Sequence, residues 1–314
     1  MAIPKFIIDA DTGIDDALAI LYGLKSDKAD IVGITTGFGN ISVEQATDNT
    51  LRIVKLAGYE HRVPVSMGAA RPLVRHAEFA TRVHGRNGIG DVELPPSSQR
   101  PAEEPADAFI VRMADELGGE LSLVTLGRLT NVAHALRRDP GLPAKIKHVY
   151  VMGGAVRVPG NVTPVAEANI WGDPDAADLV IRSGLAVTMI GLDVTLRTRL
   201  HQHQLDALRL HCKPENREVV DFIDRSMQVY FRFYGDSNGF DACAPLHDPL
   251  TILAAVEPGI VHAEALHLSV ECEGKHCLGM TVADLRHRPA VGHPVRVGVE
   301  VDAATAVEKL LAVF

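Results

Sequence analysis

The chain lacks most of what would force an unusual architecture. Four cysteines, Cys212, Cys243, Cys272 and Cys277, stand among 314 residues. They are too few for a disulfide framework, and a reduced, cytoplasmic protein is expected. No apolar run approaches the roughly 18 residues that span a bilayer. The run Phe6-Ile7-Ile8 is cut off by Asp9 and Asp11 before it could serve as a signal segment, so no membrane association is expected. Positive charge is in deficit: 31 Lys and Arg against 40 Asp and Glu leave a net charge of -9. That excludes broad attraction to nucleic acid or anionic lipid. There is no internal repeat and no low-complexity linker. What is present is an ordinary globular mixture, 46% hydrophobic and 23% charged, which excludes disordered and collagen-like chains and permits a large core.

Short apolar runs alternate with amphipathic stretches. Strands are expected at residues 5–9, 31–36, 64–67, 121–126, 148–152 and 186–190, and helices at 15–24 and 43–56. This alternation predicts an α/β fold with a doubly wound, mainly parallel central sheet flanked by helices. Ligands of such sheets bind at the C-terminal ends of the strands. Residues 69–102, rich in Pro, Gly, His and Arg, show no periodicity and read as a long functional loop. Residues 201–234 read as helix, 262–301 as β structure and 303–313 as a closing helix. One domain over residues 1–314 is expected.

Two clusters invite a metal. Cys272, His276 and Cys277 have zinc-binding side chains, but no fourth ligand stands at a usual spacing, and Glu273-Gly274-Lys275 reads as a hairpin turn. The stronger cluster is Asp9-Ala10-Asp11-Thr12-Gly13-Ile14-Asp15-Asp16, at a strand-to-helix turn. Capping accounts for one or two of these acids. Four together repel one another and favour a divalent cation or a polyhydroxylated ligand. Oxygen-only donors indicate Ca²⁺ or Mg²⁺ rather than zinc. Asp11-Thr12-Gly13 is also the aspartic-protease tripeptide, but a second copy and an all-β chain are missing. An Asp-x-Asp phosphatase of the haloacid dehalogenase type would continue with Gly-Thr-Leu, which is absent.

The residues 9–16 resemble the N-terminal signature of the inosine-uridine nucleoside hydrolase family, with Ala10 and Thr12 as departures. Further segments are similar in order: 35–40, His84-Gly85 with 88–90, 126–131, 152–155, the highly specific run 160–169, 173–176, and His247-Asp248-Pro249. The resemblance implies hydrolysis of a nucleoside to ribose and free base. It implies a Ca²⁺ held by Asp11, Asp16, the Leu126 carbonyl and Asp248, with Asp11 also the general base for the attacking water. Ribose would be held by Asp15, Asn40, Asn161, Glu167 and Asn169, with Met152 near its 5′ side. Asp9 is expected to join these acids around one cation and one ribose. Glu167 and Asn169, two apart on an extended stretch, would share a face.

Histidine is the natural acid near neutral pH, so His247 is expected to assist the leaving base, with His84 as a second active-site histidine. Tyr230 and Tyr234, four apart on a helix, share a face and could contact the base or simply pack. Trp171 offers no pair of indoles to stack a purine, and Ala168 and Asn87 depart from the family's frequent Phe and Asp. Uridine or inosine is the expected substrate, with a modified nucleoside, another ribosyl compound or a non-catalytic nucleoside-binding role as alternatives. The resemblance also implies a homotetramer or homodimer.

Overall fold

The computed structural model describes residues 3–314. Eleven strands occur among them: β1 Lys5–Ala10, β2 Asp30–Thr36, β3 Val65–Met67, β4 Leu121–Thr125, β5 His148–Met152, β6 Val187–Ile190, β7 Arg199–His201, β8 Cys243–Pro245, β9 Val261–Val270, β10 Thr281–Ala283 and β11 His293–Val301. Nine form one sheet in the order β10-β9-β11-β6-β5-β4-β1-β2-β3. From β3 to β11 every pairing is parallel; β9 joins antiparallel to β11, and β10 antiparallel to β9. This is the doubly wound arrangement expected of alternating strands and helices.

The order has a functional consequence. From β1 the chain winds outward to β3, then returns to lay β4 on the other side of β1. The connections leaving β1 and β4 therefore diverge, and a crevice opens at their C-terminal ends.

Side chains alternate across β1 and so serve two cores. Phe6 and Ile8 pack with the helices Ile14–Lys25 and His247–Val256, whereas Ile7 packs with Ala106–Leu117 and Thr130–Arg138. Both faces of the strand are buried, as parallel sheets require. The helix Ile14–Lys25 is buried from Ile14 through Leu24. Gly23 permits its close packing, because a Cβ there would lie 2.6 Å from Ile252 Cδ1.

Two expectations need correction. The stretch 201–234 is two helices, Gln202–His211 and Arg217–Asn238, with a short 3-10 turn at Pro214–Asn216. Pro214 disfavours helical backbone at the preceding residue, and Lys213 is extended, with ψ 142°. The second helix runs past Tyr234 to end at Gly239, whose φ of 68° stops it. The segment 69–102 is largely irregular, as expected, but carries the one-turn helix Thr81–His84.

Candidate active site

The acid cluster sits where the crevice predicts. Asp11 follows β1, and Asp15 and Asp16 begin the helix Ile14–Lys25. Asp248 lies in the first turn of His247–Val256, directly after β8. Carboxylates in a first helical turn face the positive end of the helix dipole and unsatisfied N–H groups. Asp16 uses both oxygens this way: Oδ2 accepts from Gly13 N–H (2.8 Å) and Oδ1 from Asp11 N–H (3.2 Å). Asn40, in the loop that follows β2, adds a bond from Nδ2 to Asp16 Oδ2 (3.0 Å) and one from its backbone N–H to Asp11 Oδ2 (2.7 Å).

Asp15, Asp16 and Asp248 each bring a carboxylate oxygen within 4.8 Å of the others. All three are buried. Burial, with repulsion from neighbouring acids, pushes Asp16 and Asp248 well above the usual carboxylate range. Burial likewise raises Asp15 to about 7, opposed by a hydrogen bond from the Tyr230 hydroxyl (3.1 Å). Among the described residues no lysine or arginine pairs with these three. Asp11 stands beside the triplet and pairs with Arg128, a residue that sequence reasoning did not single out.

Asp9 departs from expectation. Its carboxylate accepts from Thr35 Oγ1 (2.6 Å) and Asn131 Nδ2 (2.7 Å), tying β1 to β2 and to the helix Thr130–Arg138. Asp9 shares the face of Ile7 on β1 and so points away from the helices that carry Asp15, Asp16 and Asp248. Burial raises it to about 6.

Above the acids lies a cleft of about 350 Å³. It is lined by Asp15, Asn40, His84, Leu126, Met152, Asn161, Glu167, Asn169, Tyr230, Tyr234, His247 and Asp248, while Asp11 and Asp16 are buried and do not line it. Glu167 and Asn169 share the cleft for a reason other than an extended stretch. Glu167 caps the helix Ala168–Gly172, accepting from Asn169, Ile170 and Gly154 N–H groups at 2.9–3.2 Å. Burial raises its carboxyl. Asn169 donates through Nδ2 to the Leu126 carbonyl (2.6 Å) and the Met152 carbonyl (3.2 Å), which fixes the ends of β4 and β5. Asn161 Oδ1 accepts from Ala168 N–H (3.0 Å).

Both histidines are buried and neutral at pH 7. Burial lowers His84 to about 3 and His247 to about 4. His84 Nδ1 accepts from Ile14 N–H (3.1 Å), which leaves the ring proton on Nε2. His247 is bracketed by Thr195 Oγ1 (2.7 Å to Nδ1) and the Tyr234 hydroxyl (2.8 Å to Nε2). Sequence reasoning missed Thr195, because nothing local marks it. It also missed Phe233 and Ser237, which line the cleft beside Tyr230 and Tyr234. Their spacing of three, four and seven residues along one helix face was the available signal. Tyr230 and Tyr234 both pack, with rings 5.0 Å apart, and bond to site residues through their hydroxyls.

Among the described residues Cys272, His276 and Cys277 form no metal-ligand group. All four cysteines are free thiols. No described helix is long and apolar enough to cross a membrane.

Residues 6–308 match the family model described as inosine-uridine preferring nucleoside hydrolase. The chain is 37% identical to uridine nucleosidase 1 of Arabidopsis thaliana, over 98% of this chain and 92% of that protein. Among solved structures it resembles a plant nucleoside hydrolase (TM-score 0.93, 32% identity, 99% of each chain). It also resembles a purine-preferring ribonucleoside hydrolase from Gardnerella vaginalis (TM-score 0.91, 36% identity, 98% of this chain and 97% of that one). The match covers the cleft and every strand of the large sheet, and the chain belongs to the inosine-uridine preferring nucleoside hydrolase family, enzymes that hydrolyse N-glycosidic bonds.

Proposed function

We propose that this chain hydrolyses ribonucleosides of the uridine, cytidine and inosine type to ribose and free base, as a Ca²⁺-dependent enzyme of nucleoside salvage or catabolism. The observation that carries the reading is the buried triplet Asp15, Asp16 and Asp248 at the cleft, with no lysine or arginine paired to it among the described residues. Buried carboxylates without a counter-charge are costly. An all-oxygen donor set of this kind fits a hard divalent cation.

Asp11, Asp16, the Leu126 carbonyl and Asp248 would hold the Ca²⁺. When bound, it offsets the acids' mutual repulsion and makes a nearby water more acidic. The rest is the work of side chains. Asp11 accepts the proton of the attacking water, as a general base. Asp15, Asn40, Asn161, Glu167 and Asn169 hold the ribose hydroxyls, and Met152 lies towards the 5′ side. The negative charge of Asp15 and Glu167 favours an oxocarbenium-like state as the C–N bond lengthens. His247, neutral at rest and paired with Tyr234, takes up a proton from solvent as the base's growing negative charge raises the imidazole's affinity for it, and passes that proton to the leaving base. His84 faces the same space with Nε2–H as a hydrogen-bond donor.

The outer wall of the cleft, Ala80, Val83, Leu196 and Phe233, is apolar and suits a base ring. Trp171 does not line it. Ala168 leaves room beside the ribose, so a modified nucleoside stays in the substrate set. The protein acts in the cytoplasm as one domain over residues 1–314, assembled as a homotetramer or homodimer. The deciding experiment is kcat/KM for uridine, cytidine, inosine and adenosine. Turnover of uridine and inosine supports the reading; activity confined to purines, or none at all, overturns it.

A further inference from the structure

Arg128 is the side chain in this site that a nucleoside-hydrolysing cleft does not obviously require. It follows β4 two residues beyond Leu126, and it is only 8% exposed. Space is made for it by two glycines. A Cβ on Gly39 would overlap both Asp11 Oδ2 and Arg128 Nη1, and one on Gly172 would stand 2.5 Å from Arg128 Nε. The guanidinium is poorly saturated: Nε is buried without a hydrogen-bond partner. Its one ion pair is with Asp11, through Nη1 and Oδ2.

This contact makes the two oxygens of Asp11 unequal. Oδ2 accepts from Arg128 Nη1 and from Asn40 N–H at 2.7 Å. Oδ1 accepts no hydrogen bond among the described residues. The charge of Arg128 also reaches beyond Asp11, to His84 and Glu167.

We propose that Arg128 is a positioning residue that pins Asp11 through Oδ2, leaves Oδ1 to take the proton of the attacking water, and weakens the acid cluster's hold on a divalent cation. The inference rests on the reading of Asp11 as general base and metal ligand. Arg128 makes and breaks no bond. Water gives its proton to Asp11 Oδ1 and its oxygen to the anomeric carbon, while the C–N bond electrons leave with the base. The Nη1–H of a planar, rigid guanidinium, joined at Oδ2 by the Asn40 N–H, holds the carboxylate at one rotation. The same fixed charge competes with a cation for that carboxylate.

These two effects have opposite signs, which makes the idea testable. Arg128→Met keeps a long stem without charge; Arg128→Lys keeps charge without the planar fork. Each is stripped of metal and titrated with Ca²⁺ by calorimetry. Each is then assayed on whichever of uridine, cytidine and inosine the parent hydrolyses fastest. Arg128→Met is expected to lower kcat roughly 10- to 100-fold at little-changed KM, and to bind Ca²⁺ roughly tenfold more tightly. Arg128→Lys is expected to keep parental Ca²⁺ affinity with an intermediate kcat. Mere structural damage would weaken turnover and Ca²⁺ binding together. Parental kcat in Arg128→Met, or weaker Ca²⁺ binding by it, overturns the proposal. If Arg128→Met does not fold, Arg128→Lys decides, and a parental kcat there overturns it. Asp11→Asn is run alongside. Parental turnover in that variant would overturn the base reading itself; lost turnover there with parental Arg128→Met would overturn the role of Arg128 alone.

Discussion

The buried acids make stability depend on pH and calcium in a direction that can be worked out. The perturbation is removal of divalent cations, followed by thermal melting from pH 6.5 to 8.5. The lower limit matters. His84 and His247 are lowered to about 3 and about 4 by burial, so below 6.5 the unfolded chain binds more protons at these positions. Their contribution rises with pH and, because the unfolded imidazoles are still half protonated at 6.5, adds a further ~0.4 kcal/mol each up to pH 8.5. Asp9, at about 6, acts in the opposite direction over much of the same range.

Above 6.5 these terms are the smaller ones. Asp15, Asp16 and Asp248 remain, all raised by burial. Their folded values lie above the unfolded 3.8, so the folded protein holds more protons than the unfolded chain. Stability must therefore fall as pH rises through the folded values. A difference of one proton costs about 1.4 kcal/mol per pH unit, or about 2.7 kcal/mol from pH 6.5 to 8.5, which the two histidines reduce to about 1.9 kcal/mol. At about 2 °C per kcal/mol for a chain this long, Tm should drop by about 4 °C. Calcium at a hundredfold excess over its Kd returns about 2.7 kcal/mol, and the return should be larger at pH 8.5 than at 6.5. Differential scanning calorimetry on protein verified metal-free by elemental analysis reads both effects. A metal-free Tm that is flat or rises over this range, or that ignores calcium at pH 8.5, refutes the reasoning.

Two further outcomes follow from particular contacts. His247→Ala should lower kcat on natural nucleosides by about 10²- to 10⁴-fold while sparing a 4-nitrophenyl riboside, whose leaving group departs without a proton; equal losses on both would show that His247 is not the proton donor. Gly39→Ala should cost about 1–3 kcal/mol in denaturant melts and reduce turnover, because a Cβ would overlap both Asp11 and Arg128; a variant of parental stability and rate would refute the packing argument.

What was legible in the sequence is what is local. Strand runs such as 148–152 and the helix at 43–56 coincide with their structural elements, because burial on both faces writes itself as apolar runs and amphipathic spacing. The ordered motifs gathered the side chains that line the cleft. What failed depended on partners distant in sequence. Asp9 reads like its neighbours, yet its fate is set by Thr35 and by Asn131 across the sheet. Arg128 lies inside a matched segment as one more basic residue, and only the approach of Gly39 and Gly172 shows that it is buried. Thr195 carries no motif at all. The break at Lys213 was legible in Pro214 but was smoothed over by the apolar periodicity on either side.

The same distinction explains why acids can cluster here without unfolding the protein. Each carboxylate stands at a strand end or in a first helical turn, where backbone N–H groups point outward and would otherwise go unpaired. Asp16 satisfies two such groups and Glu167 three. The hydrogen bonds that offset burial are thus supplied by the fold rather than by basic side chains. Had lysines or arginines neutralised Asp15, Asp16 and Asp248, no net charge would remain to attract a cation or to favour positive charge on a sugar ring. Arg128 shows how far neutralisation is taken: among the described residues its ion pair is with Asp11, the acid beside the triplet, and it pairs with none of the three. The site keeps its negative field because the backbone stabilises the carboxylates by hydrogen bonding without cancelling their charge.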